Sequence, residues 1–341
     1  MKRLSSILAA TAVCVGLASA PLAGAAQLTP QQVAGNAAQS TLAPLEVTPE
    51  LEQQTWYQKY KDDPRVDKLQ ATSPAMNGRQ IPLAVIRATD ENRPTIYLLN
   101  GAGGAEQDMD WLKLSDAVDF YHSKNVNVVI PQAGAFSYYT DWVSEPNSKY
   151  LKGPQKWETF LTKELPGAIE GHIKADNHRA IAGMSMSATS SLLLAEHNQG
   201  FYDAVGSFSG CAATSTPIPN FFVQLTVDRG APGKMTPEHI FGPMGSDYNR
   251  HYDALVNAPK LAGTGTKLYV STGTGLAAET DMPGTLAKRF EDAGLNSSDA
   301  FIKGSANAAT LILEGGAIEA AMNSCTHDLL VKLRANGAEV E

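Results

Sequence analysis

Alternating and unbroken apolar runs take turns along this chain with segments of helical spacing. Residues 66–71 and 81–88 alternate apolar and polar positions, and Asn77-Gly78 between them predicts a tight turn joining antiparallel strands. Thr95-Ile96-Tyr97-Leu98-Leu99 is a continuous β-rich run, the pattern of a central strand buried on both faces. Shorter runs predict strands at 126–130, 179–182, 204–208 and 267–271, and helical spacing falls between them at 111–122, 157–172, 187–197 and 252–261. Early antiparallel strands followed by alternating strand and helix predict an α/β fold: a doubly wound, mostly parallel sheet with helices on both faces. No repeat or linker divides it, so residues 65–341 are expected to form one domain.

The segment ahead of that domain reads differently. Residues 27–64 are rich in Gln, Ala, Thr and Pro and predict a mobile stretch with a short helix at 51–60. Lys2 and Arg3, an apolar stretch over 4–17 and small residues through Ala26 read as a secretory signal peptide over 1–26. Its cut falls near Ala25 or Ala26, because Pro21 would follow a cut after Ala20. The apolar stretch is short for a membrane span, and no later segment supplies one. Export leaves Cys211 and Cys325 as an even pair in an oxidising compartment, which predicts a disulfide. A formal net charge of −8 argues against nucleic acid as a partner.

Three predicted strand ends carry candidate chemistry, where an open α/β sheet binds its ligands. Ile181-Ala182-Gly183-Met184-Ser185-Met186-Ser187 runs from a strand into a helix and reads as a nucleophile elbow, with Ser187 where the second glycine usually stands. Asn100-Gly101-Ala102-Gly103-Gly104 follows the 95–99 strand and can turn backbone N–H groups toward an oxyanion, together with the Met186 N–H. Residues 134–142 form an aromatic, hydroxyl-rich loop after the 126–130 strand.

Several motifs now appear in order: residues 69–79, Tyr97-Leu98-Leu99-Asn100-Gly101, Ser137-Tyr138-Tyr139-Thr140-Asp141-Trp142, Lys156-Trp157-Glu158-Thr159-Phe160-Leu161 and the elbow. From about Arg65 onward the chain resembles the mycolyltransferases of mycobacteria and corynebacteria, the antigen 85 group of α/β-hydrolase folds. The resemblance implies an exported serine acyltransferase of the cell envelope. Ser185 would take a mycolyl group from trehalose monomycolate and pass it to a second trehalose monomycolate or to arabinogalactan, with no cofactor or metal. It implies Ala102 and Met186 as oxyanion donors and a substrate surface including Asn100, Gly101, Ser137, Asp141 and Trp142. Phe221, Phe222, Val223 and Leu225 are candidates for an acyl channel.

The resemblance puts the triad acid on a late helix. Glu319 fits best by spacing, ahead of Glu314; a generic hydrolase would instead nominate Glu279 or Asp281, after the 267–271 strand. In the family the general-base histidine follows the last strand. Residues 338–341 read as the beginning of that strand, and none of the seven histidines follows it, so the histidine loop is missing from the sequence as it stands. His327 lies eight residues beyond Glu319, about 12 Å along a helix, which is out of hydrogen-bond reach. His239, between Thr214 and Tyr252, is the remaining substitute. The family's acid at position 100 and its arginine near Gly103, both used on trehalose, are also absent. Two further readings therefore stay open: a secreted carboxylesterase, and a non-catalytic lipid- or glycan-binding homologue.

Overall fold

The computed structural model describes residues 38–338 and Val340. The signal peptide expected over 1–26 lies outside the described residues. Eight strands form one sheet in the order β1-β2-β3-β5-β4-β6-β7-β8. They are β1 Leu42–Pro44, β2 Val66–Ser73, β3 Arg79–Ile86, β4 Thr95–Leu99, β5 Asn127–Pro131, β6 Arg179–Met184, β7 Ala204–Phe208 and β8 Lys267–Ser271. β1, β2, β3 and β5 pair antiparallel, and β5, β4, β6, β7 and β8 run parallel. Asn77 and Gly78 both take positive φ between β2 and β3, as the predicted turn requires.

Side chains alternate across the sheet, as strand geometry dictates. In β4, Tyr97 and Leu99 enter one core with Trp157, Phe160 and Leu193. Leu98 enters the other with Trp56, Leu112 and Val118. A strand buried on both faces has no polar side, which is why its sequence does not alternate.

The structure departs from the sequence reading in three places. Residues expected to be mobile are packed in part: β1 pairs with β2, and Trp56, on the helix Thr55–Tyr60, is fully buried. The helix expected over 157–172 carries a π-helical segment, Phe160–Glu164, just ahead of Pro166. Proline has no N–H to donate back along the helix, and the wider turn accommodates the gap. Beyond β7 stand helices that periodicity did not reveal: Pro217–Gly230, a helical hairpin of Pro283–Asp292 and Ser297–Thr310, and the C-terminal helix Gly316–Ala335. Val340 bridges Leu268 in parallel beside β8.

Candidate active site

Ser185 sits between β6 and the helix Met186–His197, with φ 55° and ψ −120°. A non-glycine residue in this region is strained, and the surroundings hold it there. Its N–H donates to the Phe208 carbonyl (2.8 Å), and the Ala188 N–H donates to its carbonyl (3.0 Å). Gly183 is required: a Cβ there would lie 2.2 Å from the Ser187 carbonyl oxygen. Ser187, in place of a second glycine, acts as a staple. Its Oγ accepts from the Met184 N–H and donates to the Leu99 carbonyl, both at 3.0 Å, tying the elbow to the end of β4.

Ala102 follows β4 with both flanking carbonyls held. The Gly104 N–H donates to Gly101 (3.1 Å), and the Phe136 N–H donates to Ala102 (2.8 Å). Met186 occupies the first position of its helix, where backbone N–H groups have no carbonyl within the helix. Ala102, Ser185 and Met186 line one cleft of about 110 Å³. The far wall comes from Phe222, Val223 and Leu225 on Pro217–Gly230 and from Ile318 and Met322 on the C-terminal helix. Phe221, the fourth acyl-channel candidate, points to solvent outside the cleft.

Glu319 is held where β7 and β8 end. Ser209 Oγ donates to its Oε1 (2.6 Å), as do Thr272 Oγ1 (3.0 Å) and the Gly273 N–H. A Cβ on Gly273 would come within 2.8 Å of the Glu319 side chain, so the glycine lets the carboxylate approach. The competing acids are placed otherwise. Glu314 is exposed, and Asp281 accepts from the Ala278 N–H (2.8 Å) in an exposed turn that also holds Glu279. The predicted disulfide, Cys211–Cys325, ties the loop after β7 to the C-terminal helix, and Cys211 itself lines the cleft.

The residues expected to bind substrate are turned inward instead. Asn100 is fully buried, its amide donating to the Pro131 carbonyl (3.0 Å) and accepting from the Trp111 N–H (3.1 Å). Ser137 Oγ donates to the Gly134 carbonyl (2.7 Å), and Trp142 Nε1 donates to the Ser137 carbonyl (2.8 Å). Asp141 accepts from Thr159 Oγ1 (2.6 Å), and burial raises its carboxyl above the usual range. Gly101 is buried behind Ser185. Together these five shape the loops, and none lines the cleft.

Sequence reasoning missed Glu106, whose carboxylate joins the loops after β4 and β5. Oε1 accepts from the Gly134 N–H (3.0 Å) and Oε2 from the Ala135 N–H (3.1 Å). Burial pushes this carboxyl up to about 7, against the opposing pull of those donors. It also missed Ser209, Thr272 and Gly273, which touch Glu319 only through the fold.

None of the seven histidines lines the cleft. His327 is exposed on the C-terminal helix, and His239 Nδ1 accepts from the Thr236 N–H (3.1 Å) at a helix cap. His197, at the end of the elbow helix, directs Nδ1 to Glu158 Oε1 (2.9 Å) and Nε2 to the His251 carbonyl (2.8 Å). Among the described residues no group of acids, histidines and cysteines is placed to hold a metal ion. No helix there is long and apolar enough to cross a membrane.

A serine on a strained strand-to-helix turn, at the carboxyl end of a mostly parallel sheet, defines an α/β-hydrolase-type protein. The Esterase family model, described as "Putative esterase", matches residues 73–303. Diacylglycerol acyltransferase/mycolyltransferase Ag85B of Mycobacterium leprae is 30% identical over 230 residues, covering 66% of this chain and 69% of that protein. Ag85A of Mycobacterium tuberculosis is 32% identical over 212 residues, covering 62% of this chain; the match spans 61% of that relative's length. The crystal structure of Mycobacterium tuberculosis MPT51 (FbpC1) shares the fold, with a TM-score of 0.60 at 20% identity over 81% of this chain and 88% of that one. The chain belongs to this esterase family and, within it, to the mycolyltransferases.

Proposed function

We propose that the protein is an exported acyltransferase working through an acyl-enzyme on Ser185. It moves a mycolyl group from trehalose monomycolate to a second trehalose monomycolate or to a cell-wall arabinogalactan hydroxyl. Ser185 Oγ attacks the ester carbonyl carbon and gives up its proton, and the Ala102 and Met186 N–H groups receive the developing oxyanion. Collapse breaks the ester bond, and trehalose leaves with a proton. An acceptor hydroxyl then reverses the sequence. Glu319 is the orienting acid: its described donors converge on Oε1, leaving Oε2 to accept an imidazole N–H. The general base is the role for which the described residues offer no candidate in the cleft.

The observation that carries this reading is Ser185 on its strained elbow, in one cleft with Ala102, Met186 and an apolar wall. A fluorophosphonate probe should label Ser185, and the Ser185→Ala variant should lose both label and turnover of trehalose monomycolate. Labelling that survives this substitution rejects the nucleophile. Water outcompeting every sugar acceptor would instead make the protein a carboxylesterase.

The apolar wall of the cleft also suits a second reading, a lipid- or glycan-binding homologue without turnover. Glycolipid binding with no labelling of Ser185 would select it.

A further inference from the structure

An oxyanion donor is effective when its direction is fixed before charge develops on the substrate. Met186 has a helix to fix it, whereas Ala102 lies in a glycine-rich turn after β4, where it lines the cleft with Ser185. Two hydrogen bonds hold that turn. The Gly104 N–H donates to the Gly101 carbonyl (3.1 Å). A peptide unit is planar, so fixing this carbonyl also fixes the opposed N–H of Ala102. The Phe136 N–H donates to the Ala102 carbonyl (2.8 Å), which fixes the next peptide unit from the loop after β5. Glu106 stands behind both bonds. It lies on the short helix Ala105–Gln107, and it packs so closely on Gly104 that a Cβ there would lie 2.9 Å from its Oε2. Its carboxyl accepts from the N–H groups of Gly134 (3.0 Å) and Ala135 (3.1 Å), the two residues directly ahead of Phe136.

We propose that Glu106 is a positioning residue for the Ala102 N–H, locking the turn that carries this donor by gripping the loop after β5. The proposal rests on the reading of Ala102 as an oxyanion donor. The grip depends on charge. Two N–H donors meet two oxygens, which suits a carboxylate; a neutral acid keeps one good acceptor and has a hydroxyl donor at the other oxygen. The titratable groups that face this carboxyl are two phenols: Tyr139, which burial raises above its ordinary value, and Tyr150, which Gln107 and Lys149 lower. Asp108, on the same loop, is turned to the Thr55 N–H (2.9 Å) and to Lys113 (3.5 Å). Because the carboxyl titrates at about 7, its grip tightens through neutral pH even as the buried charge costs stability.

The test compares the full chain with its Glu106→Gln variant, whose amide is a neutral isostere of the protonated acid. The rate constant for fluorophosphonate labelling of Ser185 is measured for both between about pH 5.5 and 8.5. The ratio of the two cancels whatever else activates the serine. It should stay within about twofold of unity at the acid end and favour the parent about tenfold at the alkaline end, with reversible binding of the probe unchanged. That is part of the loss seen when an oxyanion donor is removed outright. A ratio that stays flat across the range overturns the proposal. Amide NMR gives a second reading that needs no turnover and no variant. In the parent, the N–H signals of Ala102, Gly134 and Ala135 should shift together with one midpoint near 7. An Ala102 signal that stays still while Gly134 and Ala135 titrate would make Glu106 a structural tie only, and also overturns the proposal. A parent that the probe never labels would instead reject the Ser185 mechanism, and the amide titration would then decide whether Glu106 sets the Ala102 N–H.

Discussion

On the elbow side of the cleft, the parts that meet are close in sequence or come from adjacent strands. Gly183, Ser185 and Ser187 are consecutive odd positions, and the β4 loop reaches them from the neighbouring strand. On the acid side the parts are far apart along the chain. Ser209 reaches Glu319 across 110 positions, and the disulfide spans 114. The first side is built by strained backbone and glycines that admit close approach. The second is a helix held against strand ends by a covalent tie and a carboxylate. Local geometry therefore sets the place of Ser185, while long-range tethering sets that of Glu319.

The largest effect should come from cutting the tether. Replacing Cys211 and Cys325 by Ser should remove about 5 kcal/mol, by the chain-entropy account of a loop this long. Urea unfolding checks this, and a loss below about 1 kcal/mol would show that the acid side holds itself. Next, Gly183→Ala should lose about 3 kcal/mol, because the new methyl overlaps backbone rather than a movable side chain. A melting temperature within a degree or two of the parent would mean the elbow tolerates more than its geometry implies.

Ser187→Ala should lose about 1–2 kcal/mol, since the hydroxyl that accepts from the Met184 N–H and donates to the Leu99 carbonyl would be gone. A neutral Ser187→Ala would show that the staple is dispensable.

The smallest effect is in pH. The Glu106 carboxyl lies near 7 in the folded chain, above its ordinary value of 4.5. Its contribution is therefore fully present below about 4.5 and is lost as pH rises through about 7. Glu106→Gln should flatten that part of the stability profile. An unchanged slope between pH 4.5 and 7 would remove Glu106 from the coupling of the two loops.

The same contrast explains what could be read from the sequence. β4, β7 and β8 match their expected bounds residue for residue; β4 is an apolar run, and β7 and β8 carry Val205, Leu268 and Val270 among polar or small residues. β6 runs two residues past its expected end, since the chain stays extended until the strained Ser185. The packing of Trp56 was hidden by its Gln- and Thr-rich surroundings. The helix Ser297–Thr310 was hidden because its Ala, Ser and Asn positions mark no clear apolar stripe.

At the site, the meeting of Ser185 and Met186 with Ala102 in one cleft was legible because a strand-to-helix turn and the loop after the neighbouring strand end on the same edge of the sheet. Asn100, Ser137, Asp141 and Trp142 were correctly placed at strand ends, but their direction depends on partners such as Pro131 and Thr159 that only the fold supplies. Choosing Glu319 over Glu314 needed the family pattern. The structure adds that Ser209, Thr272 and Gly273 donate to Glu319.

The Cys211–Cys325 bond also makes the acid side a closed ring. Helix Pro217–Gly230, β8, the hairpin and Glu319 all lie on that ring. A protease that cuts one exposed peptide bond between the two cysteines therefore opens the ring without releasing a fragment. The nicked molecule stays one covalent body, and both walls of the cleft remain attached until a reductant separates them.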